Sequence, residues 1–207
     1  MADYRLIRRS LEIFLPFVGQ EVLQLRRYAK DDPLFSRLKE DKTIVTKADE
    51  MSEDLIRNWI QAEFPFDGIR GEERQRKDGD TSRTWIIDPI DGTYNFNNFG
   101  RRFGISVGIL EEGRPQCGVI HYPAEEITLS ASEKGGAFLN KARVMVAEGA
   151  KDLNQALILG QAHPFSDDER FYENNKKQLP LLRRVRSEDL DWCYVNSFRN
   201  FLFGHAS

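Results

Sequence analysis

The chain contains 207 residues, of which 40% are hydrophobic and 30% are charged. This composition is typical of a soluble globular protein and excludes the disordered, collagen-like and disulfide-dense classes, while the length allows one large domain or two small ones. The formal net charge of −3 provides no overall basic field, so we expect neither nucleic acid nor a membrane surface as a partner.

The cysteines and the N-terminal segment favour a cytoplasmic location. Cys117 and Cys193 lie far apart and outside any metal-binding spacing, so they predict buried thiols in a reducing compartment rather than a disulfide or a zinc site. The N-terminal segment is amphipathic and interrupted by charges, unlike a signal peptide. No apolar run approaches the roughly 18 residues of a membrane span.

Two helices are predicted in the first third of the chain. Apolar residues recur at three- and four-residue steps from about Tyr4 to Tyr28, which predicts an amphipathic helix. Residues 30–42 are polar and contain Asp-Asp-Pro, which indicates a loop. The same helical periodicity returns at Met51 and continues to Phe64, so a second helix is expected to end near Pro65.

Strands dominate the middle of the chain. Trp85–Ile87 is short, apolar and partly β-branched, which predicts a buried strand that ends where Asp88 begins a turn. Further strands are expected at residues 103–110, 116–122, 126–132 and 156–159, and helices at 167–177 and 190–203. Helices followed by a strand meander predict an α/β fold of the layered α+β kind. The best domain boundary lies near residue 150, which separates an N-terminal part, 1–150, from a second part, 151–207.

The strongest chemical signal is the segment Asp88-Pro89-Ile90-Asp91-Gly92-Thr93. It places two carboxylates three positions apart, and their oxygens suit Mg²⁺ or Mn²⁺, while Pro89 stiffens the backbone between them. Gly92 lets the backbone approach a ligand closely, and free amides at the start of a following helix favour an anion such as phosphate. The segment therefore predicts cation and phosphate sites on one turn.

Two weaker acidic motifs precede this segment. Gly71-Glu72-Glu73 alone is typical of a solvated surface, but a third carboxylate facing Asp88 would complete a metal site and, with Thr93, orient a water molecule. Val45-Thr46-Lys47-Ala48-Asp49 stands at the start of the second helix. Two interpretations of it stay open: capping of that helix, or an Asp49 carboxylate that accepts a hydrogen bond from Thr93.

These three motifs, in this order and at these separations, resemble the inositol monophosphatase family of magnesium-dependent, lithium-sensitive phosphatases. The similarity covers at least residues 45–140 and continues through four further segments: Asn95-Phe96, Phe103–Gly108, Gly118–Pro123 and Gly135–Asn140. The resemblance implies the alternating helix and sheet layers of the inositol monophosphatase and fructose-1,6-bisphosphatase type. It also implies Mg²⁺ as the cofactor and a homodimer as the assembly.

The resemblance also implies roles for individual residues. Glu72, Asp88 and the Ile90 carbonyl would hold an activating Mg²⁺, and Asp88 and Asp91 would share a second ion. Glu72 and Thr93, with Asp49 behind Thr93, would position the attacking water, and Asp91 and the amides of Gly92 and Thr93 would bind the phosphate. Two looser assignments place Lys42 near the waters on the metal and His163 at the leaving group.

The chain departs from the family pattern downstream. The family has a Trp-Asp segment whose aspartate completes the second metal site, whereas this chain has only Asp191-Trp192 in the reverse order. We therefore expect its C-terminal part to be missing. The leading functional hypothesis is hydrolysis of inositol monophosphate or a similar small polyol phosphate by metal-activated water. One rival is another ester of the superfamily: histidinol phosphate, a fructose bisphosphate or a 3′-phosphonucleotide. The other is a non-catalytic homologue that acts as a binding partner.

Overall fold

The computed structural model describes residues 2–29, 32, 35–39 and 44–145, and the backbone of two short strands at 158–160 and 182–184. The helices in these ranges are α1 (Tyr4–Arg27), α2 (Lys47–Glu63) and α3 (Thr93–Asn97). The strands are β1 (Ser36–Leu38), β2 (Ile44–Thr46), β3 (Gly68–Gly71), β4 (Arg83–Asp91), β5 (Gly104–Glu111), β6 (Arg114–Tyr122), β7 (Ile127–Ser132), β8 (Gly136–Leu139), β9 (Ala142–Val144), β10 (Ile158–Gly160) and β11 (Leu182–Arg184).

A sheet in the order β3-β4-β5-β6-β7-β8-β9 forms the centre of the described part. Strands β4 to β9 pair antiparallel with their neighbours in chain order. Short turns connect the strands from β5 onwards, whereas α3 lies between β4 and β5. The pair β3 and β4 is parallel. Two small sheets, β1 with β2 and β10 with β11, complete the described strands.

The two long helices cover one face of the large sheet. Helix α1 lies across β5, β6 and β7, α2 lies on β4, and the two helices contact each other. Phe14 of α1 stacks on Trp59 of α2 at 5.1 Å between ring centroids, and Trp59 meets Trp85 of β4 edge to face at 5.9 Å. This helix layer on a sheet confirms the layered helix-and-sheet fold predicted from the sequence.

The starts of both helices follow from local side-chain chemistry. Asp3 accepts a hydrogen bond from the Arg5 amide at 3.0 Å at the beginning of α1. At the beginning of α2, Thr46 accepts from the Ala48 and Asp49 amides, and Asp49 accepts in return from the Thr46 amide. Such reciprocal capping satisfies amides that have no partner within the helix. The sequence therefore specifies both starting points, although α2 begins four residues before Met51.

Several short strands were missing from the sequence-based assignment. The loop expected at 30–42 contains β1, and β3, β8 and β9 were not predicted as strands. The strand predicted at Trp85–Ile87 is longer than expected. It continues as β4 to Asp91, with an irregular register between Asp88 and Asp91. The two aspartates therefore lie within a bulged strand and not in a turn beyond its end.

Other expectations fall wholly or partly outside the described residues. The helices expected at 167–177 and 190–203, Cys193 and the boundary near residue 150 lie there, so they stay predictions. Cys117 is buried, and its burial raises the pKa of the thiol to about 12, which keeps it protonated. In the ranges described above, no helix combines the length and the apolar character needed to cross a bilayer.

Candidate functional site

The parallel pairing of β3 and β4 places two acidic motifs side by side. Gly71, the last residue of β3, is paired with Ile87 of β4. Glu72 follows Gly71 and Asp88 follows Ile87, so the two acidic residues stand at neighbouring positions where β3 ends. The sequence did not reveal that the two motifs are neighbours, because β3 itself had not been predicted.

Asp88 lies at the centre of the acidic group. Its Oδ1 atom is buried and has no hydrogen-bond partner among the described residues. Burial raises the pKa of the Asp88 carboxyl well above its ordinary value, and the negative charges of Asp91, Glu72, Asp49 and Glu73 raise it further. A buried carboxylate surrounded by other acids is unfavourable unless a proton or a cation compensates it.

Lys39, which follows β1, places a cation on the two glutamates of this acidic group. Its Nζ lies 3.0 Å from Glu72 Oε1 and 2.6 Å from Glu73 Oε1. Burial alone would lower the pKa of this ammonium group, but its hydrogen bonds to the two glutamates outweigh burial and raise the pKa overall. The side chain of Glu73 is 5% exposed and that of Glu72 is 46% exposed, so the second glutamate of the motif points inwards.

The Asp49 carboxylate joins the start of α2 to the start of α3. Oδ2 accepts the Thr46 amide at 2.8 Å, which completes the helix cap, and Oδ1 accepts the Thr93 hydroxyl at 3.2 Å. The two interpretations of this motif are therefore both realised, one by each oxygen. Burial raises the pKa of Asp49 to about 6, although the Thr46 bonds oppose that shift.

Gly92 turns the chain from β4 into α3. Its φ of 89° lies in the left-handed region, and a Cβ at this position would stand 3.0 Å from the Arg102 carbonyl oxygen. Glycine is favoured here for both reasons. The turn brings the Thr93 hydroxyl back onto the Ile90 carbonyl, to which it donates at 2.9 Å. Ile90 and Thr93, both predicted as site residues, are thus in direct contact.

The residue types at this edge of the sheet fit a magnesium ion. Hard oxygen donors surround a buried Asp88 oxygen that has no partner in the described ranges, and Mg²⁺ prefers carboxylate and carbonyl oxygens. Within those ranges, no three acidic, histidine or cysteine side chains already stand at metal-ligand spacing. The donors fit by chemistry and burial, and Lys39 balances part of their charge in this arrangement.

Several residues at the site were not found from the sequence. Lys39 was overlooked in favour of Lys42, which lies outside the described residues, as does His163. Glu53 and Arg57 were also overlooked, although they follow Asp49 at four-residue steps on the buried side of α2. Charges at helical spacing on an otherwise apolar face are a usable signal. Ser52 donates to the Pro89 carbonyl at 3.0 Å and supports β4 from the same helix.

The fold and the site together define a layered helix-and-sheet protein with an acidic centre on two neighbouring parallel strands. A model of the inositol monophosphatase family matches residues 17–199. The chain belongs to the inositol monophosphatase family.

Individual relatives agree with this assignment. The histidinol-phosphatase of Chlorobaculum parvum is 42% identical over 153 residues, which cover 74% of this chain and 55% of the relative. The fructose-1,6-bisphosphatase/inositol-1-monophosphatase of Thermotoga maritima is 38% identical over 158 residues, 76% of this chain and 60% of the relative. The match therefore spans little more than half the length of these relatives.

Solved structures show the same fold. The structure of a Thermotoga maritima IMPase superposes with a TM-score of 0.67 at 31% identity, covering 94% of this chain and 73% of that one. The suhB protein of Bartonella henselae gives a TM-score of 0.73 over 92% of this chain and 74% of its own. Its sequence identity is 22%, so this second likeness concerns the fold alone.

Proposed function

We propose that this chain carries the centre of a magnesium-dependent phosphomonoesterase. The reaction converts a phosphate monoester and water into an alcohol and inorganic phosphate. One observation carries the proposal: in the described part of the chain the buried Oδ1 of Asp88 has no hydrogen-bond partner, although the charges of four other carboxylates act on it. One of these four, Asp49, accepts the Thr93 hydroxyl. An arrangement so costly to the metal-free fold is typical of a functional site.

Glu72, Asp88, Asp91 and the Ile90 carbonyl would hold the metal. When bound, Mg²⁺ neutralises charge on the phosphate and lowers the pKa of water. The carboxylates supply the negative charge that selects a divalent cation. Lys39 bonds to one oxygen of the proposed ligand Glu72, so it must give up that bond if the cation takes the same oxygen, while its bond to Glu73 can persist.

Thr93 and Asp49 would orient the attacking water. The Thr93 hydroxyl has one proton, which it donates to Asp49 or to the Ile90 carbonyl. The lone pairs of the Thr93 oxygen are then free to accept a hydrogen bond from a water molecule. The water donates one of its protons to Thr93, and a lone pair of the water oxygen stays free to attack phosphorus. Above about pH 6 the Asp49 carboxyl is ionised and keeps Thr93 in this orientation.

The phosphate would lie against the amides of Gly92 and Thr93, as the family resemblance implies. Gly92 supports this role, because glycine has no side chain to separate the backbone from a ligand and tolerates the left-handed conformation found here. Water attacks phosphorus directly while the alcohol oxygen leaves, so no side chain has to form a covalent intermediate.

Inositol monophosphate or a similar polyol phosphate is the leading substrate. Two relatives with the names inositol-1-monophosphatase and histidinol-phosphatase support esters of small polar alcohols as a class. Histidinol phosphate, fructose bisphosphate and 3′-phosphonucleotides are the alternatives within the same chemistry. We expect these esters to differ mainly in KM, since the acidic centre acts on the phosphate that they share.

Phosphate release from a panel of these esters tests the proposal. We expect Mg²⁺-dependent turnover that falls at least a hundredfold in the variants Asp88→Asn and Glu72→Gln, since each removes a charged ligand of the metal. Asp78→Asn is the matched control, because Asp78 is exposed and pairs only with Arg76 among the described contacts. Unchanged turnover in Asp88→Asn would refute the metal assignment.

A binding protein without catalysis is the second candidate. The relative from Pasteurella multocida is 32% identical over 179 residues and carries the name Nus factor SuhB, which is not the name of a phosphatase and supports this candidate. A folded chain that releases no phosphate from any ester at saturating Mg²⁺ would favour this candidate over the enzyme. The homodimer implied by the family resemblance is a separate proposal, which sedimentation of the purified chain tests.

A further inference from the structure

Glu53 is a buried carboxylate that the proposed reaction does not use. It lies in α2, and its residue exposure is 0%. Oε2 accepts the Glu73 amide at 2.6 Å, and Oε1 accepts the Arg74 amide at 3.2 Å and Arg57 Nε at 2.6 Å. Three donors thus meet one charged acceptor, and two of them belong to the backbone of the turn that follows β3.

Arg57 holds the same turn through a backbone carbonyl. Its Nη2 donates to the Arg74 carbonyl at 3.3 Å while its Nε holds Glu53. The turn is therefore held through both the amide and the carbonyl of Arg74. Charge-assisted bonds of this kind are stronger than neutral ones and have restricted geometry. The pair of α2 side chains acts as a clamp, which we call the Glu53–Arg57 clamp.

The Glu53–Arg57 clamp contacts the residues on either side of Glu72. A Cβ added to Gly71 would stand 2.0 Å from Glu53 Oε1, so the carboxylate fills the space against the end of β3. Glu72 lies between that glycine and the tethered amide of Glu73. The direction in which its backbone leaves β3 is therefore set at both neighbouring residues.

We infer that Glu53 is a positioning residue for Glu72: the Glu53–Arg57 clamp holds the turn at 72–74 so that the Glu72 carboxylate faces Asp88 for metal binding. The inference rests on the proposed function and extends it to residues of α2. Loss of the clamp lets the turn adopt other conformations, only some of which present Glu72 to the metal. The cost then appears in metal affinity, because ordering the turn must accompany binding.

The substitution Glu53→Gln tests the inference with little change in volume. All three partners of Glu53 are donors, so the amide group of glutamine meets a donor where an acceptor is needed. We expect the dissociation constant for Mn²⁺, measured by titration calorimetry and by the electron paramagnetic resonance of the free ion, to rise about tenfold to a hundredfold. The kcat at saturating Mg²⁺ should change far less than the metal concentration for half activation.

Control variants separate positioning from general damage. Glu63→Gln makes the same chemical change at the exposed end of the same helix and should leave Mn²⁺ affinity unaltered. Glu53→Asp keeps the charge but shortens the reach, so it should give a smaller rise in the dissociation constant, and it decides the question if Glu53→Gln does not fold. A folded Glu53 variant with parental Mn²⁺ affinity would overturn the inference. Absence of Mn²⁺ binding in the parent chain would instead refute the proposed metal site.

Discussion

The two oxygens of the Asp49 carboxylate perform different tasks. One accepts the Thr46 amide at the start of α2, and the other accepts the hydroxyl of Thr93. Removal of the carboxylate would therefore weaken a helix start and release a site residue in one step. Loss of activity in an Asp49 variant is ambiguous for that reason, whereas the Asp88 and Glu72 variants report on the metal more directly.

Gly71 is required because the Glu53 carboxylate occupies the space where a side chain would lie, and not because of its backbone conformation. We expect Gly71→Ala to lower the free energy of unfolding by about 1–3 kcal/mol, since the added methyl must displace a buried carboxylate. Urea unfolding of the metal-free chain measures this change. Gly108→Ala is the control, because its added Cβ stands 3.9 Å from the nearest atom, the Cys117 carbonyl oxygen. Equal stability of the two variants would contradict the prediction.

At the scale of elements, the last turn of α1 is bound to the segment around α3. Arg26 is buried there, and its Nη2 donates to the Gly100 carbonyl at 2.8 Å and to the Asn95 carbonyl at 3.4 Å. Its guanidinium also lies 4.9 Å from the ring centroid of Phe96 and 5.3 Å from that of Phe103. The helix that begins with Thr93 is thus held by a residue distant in sequence.

Replacement of this arginine should loosen α3 without unfolding the sheet. We expect Arg26→Met to cost about 1–3 kcal/mol in stability, since two carbonyls lose a charged donor, and to accelerate hydrogen exchange of the amides at 93–103. Hydrogen exchange followed by mass spectrometry measures the effect. The neighbouring variant Arg27→Met changes an exposed side chain and should exchange like the parent. Parental exchange in Arg26→Met would show that α3 is held by its apolar contacts alone.

The elements also show what sequence could and could not predict. Long periodic segments such as α1 were identified from spacing, and the residues from Asp88 to Thr93 were identified from donor chemistry. Short strands such as β3 were missed, because four residues with two glycines carry little periodic signal. Lys39 was missed because its role depends on which distant segments meet it, and the helical spacing of Glu53 after Asp49 indicates a buried charge without showing which turn it binds. Contacts of this kind form between segments that are distant in sequence, so no local pattern of residues reveals them.

At the scale of the whole molecule, His121 should make the fold sensitive to acid. It lies in β6 beneath α1, with 6% of its surface exposed and Nδ1 2.9 Å from Thr128 Oγ1. Burial lowers the pKa of the imidazole from 6.5 to about 4. The unfolded chain therefore binds a proton below pH 6.5 that the folded chain binds only near pH 4. Stability contributed by the neutral ring is lost as the pH falls through this window.

We expect His121→Gln to remove this dependence. The free energy of unfolding of the parent should fall relative to the variant by up to about 1.4 kcal/mol per pH unit between pH 6.5 and 4. The difference between the two proteins is the informative quantity, because the raised pKa of Asp49 acts in the opposite sense. That carboxyl stabilises the fold at low pH and loses its contribution as the pH rises from 3.8 through about 6. Parallel curves for parent and variant would rule out His121 as the source.

The compact sequence range of the acidic centre has a consequence for synthesis on the ribosome. Every described residue of the centre lies between Lys39 and Thr93, and the strands that complete the sheet follow later in the chain. A nascent polypeptide can therefore bring β3, β4 and α2 together before β7 to β9 have left the exit tunnel. Mutually repelling carboxylates then meet early, so a divalent cation that binds the centre as proposed would act on the growing chain as well as on the finished protein.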